Sequence, residues 1–439
     1  MFSHFAYFSI FDKIKSMLDI KFIRENKDLV KEAARKKCLD FDVEELLEVD
    51  SKRLAILREV EDMRARQNAV NSSVASAQDP SEKESIIEEM RILKAALSEK
   101  ENDLKQAEEV WKSLMYEAPN IPDFSVPEGK DDSANKEIRI WGDEHKQKGF
   151  EPKSHTEIMQ NLDLADFERG AKVSGFRGYY LKNDGVLLNF AIWQFVLDEL
   201  VNAGFSPMIV PSLVRKDTLY GTGYLPQGEE DMYKTQDDDY LAGTGEVAAM
   251  SYYSGEVLPL DKFPIKILAF SPCFRREAGS HGKDTKGLIR VHEFMKLEQV
   301  VLCKADHQES IKWHEQITNN TQAIMQKLKI PYRIVLNCGG DLGLGQVKKY
   351  DIEAWVPSES KYRETHSSSY FHDFQTRRLN IRYKDENGNL RFAHSLNNTA
   401  IATPRILVPI LENYQQEDGS VTVPEVLRKY IGKDRIFLK

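Results

Sequence analysis

Between Phe270 and Phe294 the chain reads Phe-Ser-Pro-Cys-Phe-Arg-Arg-Glu-Ala-Gly-Ser-His-Gly-Lys-Asp-Thr-Lys-Gly-Leu-Ile-Arg-Val-His-Glu-Phe. The pattern predicts a strand whose end carries Arg275 and Glu277, two residues apart and therefore on one face. A charged, glycine-bearing loop of about ten residues follows, and a returning strand carries Arg290 and Phe294. Arginine can fork two hydrogen bonds onto a phosphate, and a carboxylate can accept from the amino group of adenine. A phenylalanine ring offers a face on which a base stacks. Taken alone, Phe-Arg-Arg-Glu is an ordinary surface strand end; the whole run has the parts of a nucleotide site. The chain has no GxGxxG and no GxxxxGK[ST], so neither a dinucleotide-binding unit nor a P-loop is expected.

The elements that must hold this run in place come from the rest of the pattern. Alternating segments such as Tyr350–Val356 and Leu379–Tyr383 read as antiparallel strands, and Leu187–Ala203 and Ile311–Leu328 as helices. Strands adjacent in sequence with segregated helices give an α+β domain on an antiparallel sheet, expected over residues 144–439. Pro119, Pro122 and Pro127 mark residues 118–143 as an extended linker. Before it, Leu46 to Glu117 lacks glycine and has one proline, Pro80. Apolar or small residues recur there at Leu46, Val49, Ile56, Val60, Met63, Val70, Val74 and Ala77, with Arg53 and Gln67 filling the gaps. They resume at Ile86, Met90, Leu93, Leu97, Leu104, Ala107, Trp111 and Leu114, with Lys100 as the polar interruption. An average step of about 3.5 residues marks a coiled-coil seam. The break at Gln78-Asp79-Pro80-Ser81 makes the two helices an antiparallel hairpin, about 30 residues and about 45 Å a side, within a domain spanning residues 17–117. Such an arm serves oligomerisation, spacing or a long RNA; Arg64, Arg66, Asn68, Asn71 and Lys83 lie toward its tip.

Composition removes several classes. Of 439 residues 41% are hydrophobic and 30% charged, as in a soluble globular protein of two or three domains. The most apolar stretch, Val186–Leu200, contains Asn189, Gln194 and Asp198, so no membrane span is expected. A net charge of −9 excludes bulk electrostatic binding of nucleic acid but not a local patch. Four scattered cysteines suit reduced thiols in a cytosolic protein rather than disulfides or a zinc site. In residues 1–16 Lys13 and Lys15 follow the apolar part, the reverse of a secretory signal, and the segment reads as a short N-terminal extension.

Taken together, these segments resemble a known family. Phe270–Phe294 is similar to motif 2 of class II aminoacyl-tRNA synthetases in the form found in bacterial-type seryl-tRNA synthetases, and the likeness runs from Met17 to the end. Leu187–Ala203 followed by Gly204-Phe-Ser-Pro-Met-Ile-Val-Pro211 looks like motif 1, whose proline lies at the family's dimer interface. His394-Ser-Leu-Asn-Asn-Thr-Ala-Ile-Ala-Thr-Pro-Arg405 looks like motif 3. The resemblance implies that Arg275 and Glu277, with Arg276 between them, hold the α-phosphate and adenine, with Phe294 against the base. It implies that Arg405 meets the terminal phosphate, which makes Arg275 and Arg405 the catalytic pair. Thr244, Gly245, Glu246 and Glu298 would contact serine, with Thr399 facing its side chain. Glu364, Thr365, His366 and Ser367 would contact the nucleotide, Glu364 also the Mg²⁺ carried by ATP; no zinc is implied. The implied partners are ATP, L-serine, tRNA(Ser) with tRNA(Sec) as a further acceptor, and a second copy of the chain in a cytoplasmic homodimer.

Some positions depart from the family's usual wording. Thr244-Gly-Glu246 stands for Thr-Ala-Glu, Asn397-Asn-Thr399 for Asn-Gly-Ser, and His366 occupies a common serine position. His366 is read equally as a contact to ATP and as a filler behind the site. His281 and Lys283 are read as solvated loop charges or contacts to the tRNA end. Two alternatives are an amino acid:carrier protein ligase, whose relatives lack the arm and use zinc, and a catalytically inactive RNA-binding homologue, which loss of Arg275, Glu277 or Arg405 would favour.

Overall fold

Asp79-Pro80 divides the glycine-free stretch into two helices in the computed structural model, which describes residues 19–76, 79–142, 149–279, 282 and 284–438. Residues 1–16, His281 and Lys283 therefore lie outside the described residues. The first helix, α1, spans Val43–Ser76 and the second, α2, Pro80–Glu117. Asp79 caps α2 by accepting from Ser81 N, and Pro80 takes the first helical position, where a missing N–H costs nothing. Leu46, Val60 and Leu97 of the seam are buried. Its polar members are used across the hairpin: Lys100 pairs with Glu59 at 2.8 Å, and the Arg53 guanidinium lies 4.6 Å from the centre of the Trp111 ring. Chain contacts divide the molecule into two compact units, one of residues 20–35 and 40–119, the other built on residues 36–39 and everything from Asn120 onward.

The second unit is organised by an eight-stranded sheet. Its strands are β1 (Lys136–Trp141), β2 (Ser206–Ile209), β3 (Ile265–Phe274), β4 (Glu293–Cys303), β5 (Tyr332–Leu336), β6 (Lys348–Val356), β7 (Lys361–His372) and β8 (His394–Thr403). They lie in the order β1-β5-β6-β7-β8-β4-β3-β2. All neighbours are antiparallel except edge strand β2, which runs parallel to β3. The expected α+β class with an antiparallel catalytic sheet and a helical hairpin is the observed one. Two helices matter for the site, α3 (Asn183–Asn202) and α4 (His307–Lys327). The sequence pattern placed the start of α3 at Leu187 because its first turn is polar and small. Gly185 in that turn lies so close to Leu164 O that a Cβ there would come within 2.4 Å of it.

α4 supports the sheet from behind the site through polar groups as well as apolar ones. Gln299 Nε2 and Thr321 Oγ1 both donate to Asn398 Oδ1, each at 2.6 Å. Asn398, one of the unusual motif 3 residues, thus faces α4, while its neighbour Thr399 turns to the opposite side. His314 of α4 is buried, stacks on Tyr350 with ring centres 4.5 Å apart, and its Nε2 donates to Ser368 O at 3.0 Å. Burial pushes the His314 imidazole down to about 4, so it is neutral in the fold and protonated in the unfolded chain below about pH 6.5. Its contribution is complete above that value and falls away as pH drops. His314→Gln, which keeps a donor for Ser368, is expected to be less stable at pH 7. Between pH 7 and pH 5 it should lose about 2 kcal/mol less than the unmodified chain, as read by urea unfolding.

Two expectations are corrected. Leu379–Tyr383 is not one strand: a helix over Phe374–Arg378 ends there, Asn380 takes a left-handed φ of 55°, and only Arg382–Lys384 is extended. Leu379, Ile381 and Tyr383 are all buried, which produced the alternation without the strand. Likewise β3 stops at Phe274 and Glu277 has φ 55°, so Arg275 and Glu277 do not share a strand face; Arg290 precedes β4 rather than lying in it.

Candidate active site

On β4 the alternation of an extended strand puts Phe294, Lys296 and Glu298 on one face. Across the ladder Glu298 stands opposite Thr399 of β8 and Ala269 of β3, and Lys296 opposite Ser271. Phe294, Lys296 and Thr399 floor a cleft whose walls come from β7 and from the segments after β3 and β8, and Glu298 is buried outside its lining. Arg275, Glu277, Phe294, Glu364, Thr365, His366, Ser367, Thr399 and Arg405 all line it.

One end of the cleft is cationic. The Arg275 guanidinium lies 5.3 Å from the centre of the Phe294 ring, and its Nε donates to Gly243 O at 3.3 Å. Its two terminal nitrogens have no hydrogen-bond partner among the described residues. Arg290 is ion-paired with Glu277, which fixes that carboxylate despite the turn in its backbone. Arg405 donates from Nε to Ile289 O at 2.8 Å and lies 3.9 Å from the Glu364 carboxylate. Burial, with Arg275 and Arg290 nearby, lowers the Arg405 pKa from the usual arginine range, against the pull of Glu364. Burial raises the Glu364 carboxyl, but Arg405, Lys349, Arg275 and Arg290 outweigh it and hold the group below the ordinary glutamate value. Of the charged residues that line the cleft, Arg275, Lys296 and Arg405 outnumber Glu277 and Glu364, which leaves positive charge for a polyanion.

The other end is small, buried and acidic. Glu246 opens a helix over Glu246–Ser251, and both its oxygens are held, by Tyr224 OH at 2.7 Å and Gln375 Nε2 at 2.6 Å. Lys296 Nζ bridges Thr244 Oγ1 at 2.7 Å and Glu298 Oε2 at 2.5 Å. Gly245 lets this loop pack against β3, since a Cβ there would sit 3.0 Å from Ser271 Oγ.

His366 is buried beside the cleft with Nδ1 2.8 Å from Thr365 Oγ1. Burial, aided by Arg405, pushes its pKa down to about 3, so the ring is neutral. Five expected residues are absent from the cleft lining: Thr244, Gly245, Glu246 and Glu298 belong to the buried acidic group beside it, and the Arg276 guanidinium instead donates to Glu230 O at 3.1 Å. Sequence reasoning passed over Lys296, Tyr224 and Gln375. Lys296 carried a signal, its two-residue spacing between Phe294 and Glu298. Tyr224 and Gln375 come from distant segments and carried none.

A mostly antiparallel sheet bearing an arginine-lined cleft and an adjoining acidic group is the arrangement of a class II aminoacyl-tRNA synthetase core, and residues 232–414 match the tRNA synthetase class II core domain (G, H, P, S and T). Residues 17–122 match the seryl-tRNA synthetase N-terminal domain. The serine–tRNA ligase of Deinococcus radiodurans is 48% identical over 417 residues, covering 95% of this chain and 98% of that protein. The structure of seryl-tRNA synthetase from Pyrococcus horikoshii complexed with ATP superposes with a TM-score of 0.85 at 39% identity, covering 96% of this chain and 99% of that one. The cytoplasmic serine–tRNA ligase of Naegleria fowleri in complex with AMP gives 0.83 at 31% identity, over 97% and 99% of the two chains. The chain belongs to the seryl-tRNA synthetase family.

Among the described residues no helix is long and apolar enough to cross a membrane, and no cluster of three or more His, Cys, Asp or Glu side chains is arranged to hold a metal.

Proposed function

We propose that this chain joins L-serine to tRNA in two steps, forming seryl-adenylate and pyrophosphate from serine and ATP, then transferring serine to the terminal ribose of tRNA(Ser). The observation that carries this is the junction on β4: Phe294 and Arg275 at the cationic end continue directly into Lys296 and Glu298 at the acidic end. A nucleotide α-phosphate and an amino acid carboxylate would meet at that junction. The serine carboxylate is ionised at pH 7 and is itself the nucleophile, so adenylate formation needs no general base. It attacks the α-phosphorus and pyrophosphate leaves. Arg275 and Arg405 neutralise the charge that builds on the phosphate oxygens, and their fixed positions supply orientation. Oxygen donors on Glu364 and Ser367 suit a hard divalent cation, and Mg²⁺ brought with ATP would be held there to neutralise the phosphates further. In the second step a ribose hydroxyl attacks the adenylate carbonyl and AMP leaves.

Thr244, Glu246, Glu298 and Thr399 form the serine pocket in this reading. A hydroxyl-binding site left unpaired by alanine discriminates by several kcal/mol, whereas the extra methyl of threonine must be refused by shape, about 1–3 kcal/mol. Serine-dependent ATP–pyrophosphate exchange, with threonine, alanine and glycine as competitors and no tRNA, tests the reading; exchange with serine alone is expected.

The enzyme acts as a homodimer through the motif 1 face in this reading. Ile209 on edge strand β2 is 85% exposed and Phe190 on α3 65% exposed, more than isolated surface apolars need. Ile209→Asp is expected to weaken dimerisation by about 100-fold or more, measured by sedimentation velocity, because a charge would be buried without a partner.

A further inference from the structure

The acidic pocket holds two carboxylates and one ammonium, all nearly buried: Glu246 is 3% exposed, Glu298 2% and Lys296 6%. Glu246 is fixed through both oxygens by neutral partners, Tyr224 and Gln375. Glu298 is fixed through Oε2 alone, by Lys296 at 2.5 Å and more loosely by Thr399 Oγ1 at 3.5 Å. Its Oε1 has no hydrogen-bond partner among the described residues. Lys296 is held in turn by Thr244 Oγ1, so its ammonium cannot swing away without giving up both contacts.

We propose that Lys296 is a positioning residue for the amino acid substrate: its ammonium anchors Oε2 of Glu298 and cancels one of the pocket's two carboxylate charges, leaving one negative charge and Oε1 for the substrate's α-ammonium. This rests on reading the pocket as the serine site. The α-ammonium then completes the charge balance, while the substrate carboxylate points toward Arg275 at the other end. A pocket with both carboxylates uncancelled would repel itself, and one with a protonated Glu298 would offer a donor where an acceptor is needed. Burial pushes the Glu298 carboxyl upward, Lys296 is the strongest influence in the opposite direction, and Glu246 adds to the rise. Without Lys296 only Arg275 would oppose that rise, and the carboxyl would move further toward its protonated form.

The test uses full-length Lys296→Met and Lys296→Arg in serine-dependent pyrophosphate exchange from pH 6 to pH 9. With methionine, KM for serine should rise about tenfold or more at pH 7 while KM for ATP stays within about twofold. That defect should shrink as pH rises and Glu298 regains its charge. Arginine keeps the countercharge and should keep the pH profile of the unmodified enzyme. A methionine variant whose defect is equal at every pH, or falls equally on ATP, overturns the proposal. If Lys296→Met fails to fold, the double variant Lys296→Met/Glu298→Gln decides. Recovery of folding once both charges are gone supports the pairing, and failure of both variants to fold makes Lys296 a packing residue and overturns it. Absence of serine-dependent exchange in the unmodified enzyme would remove the serine-site reading, and the melting temperatures of the single and double variants would still decide whether Lys296 serves Glu298.

Discussion

Arg275→Ala is expected to lower kcat/KM for serine-dependent pyrophosphate exchange by about a thousandfold or more, with little change in melting temperature. The separation of the two effects follows from what Arg275 touches. Among the described residues it makes a single hydrogen bond, Nε to Gly243 O, and a cation–π contact with Phe294 worth about 1 kcal/mol. Removing it also relieves repulsion among Arg275, Arg290 and Arg405, which adds to burial in lowering the Arg405 pKa. Stability therefore loses little. In the proposed reaction, reactivity loses a forked donor placed where the α-phosphate gains charge. Arg275→Lys restores the charge without the fork and should recover part of the rate, leaving a deficit of about ten- to a hundredfold. A lysine variant as slow as the alanine variant would assign the effect to geometry alone; an alanine variant within tenfold of the unmodified enzyme would remove Arg275 from the chemistry.

How much of this was legible in the sequence depended on whether local pattern and final geometry coincide. The hairpin was legible because a seam repeats and Asp79-Pro80 is itself the cap chemistry of α2. The cationic end follows from the run of residue types in motif 2, although Arg275 and Glu277 do not share a strand face: Glu277 reaches the cleft through a left-handed turn and an ion pair with Arg290. Spacing is a guide only while the backbone stays extended. The acidic end was partly legible. Glu246 could be found, but not the Tyr224 and Gln375 that hold it, since nothing local marks residues brought together from far apart. The unusual Asn398 shows the converse: a departure inside a catalytic motif that faces α4 and serves packing rather than the substrate.

Replacing residues 51–117 with a short Gly-Ser linker should leave serine-dependent exchange within about twofold of the full chain and reduce tRNA aminoacylation by about a thousandfold. The replaced segment carries its own core, with Val60 and Leu97 buried along the seam, and the residues of the cleft and of its acidic end all lie from Tyr224 onward. The first reaction uses only small molecules, so it has no call on the arm. The second needs a large polyanion held by a protein whose net charge is −9, and a few well-placed contacts must overcome that long-range repulsion. Among the cations toward the tip, Arg64 is paired with Glu101 of α2 at 2.7 Å, whereas Arg66 and Lys83 make no ion pair among the described residues. Arg66→Ala and Lys83→Ala together should therefore raise KM for tRNA and flatten its salt dependence, with KM for serine unchanged. Normal charging by the armless enzyme would reduce the hairpin to a spacer. Loss of exchange along with charging would instead mean that the arm is needed for the catalytic unit to fold, a result that circular dichroism and melting of the truncated protein would reveal directly.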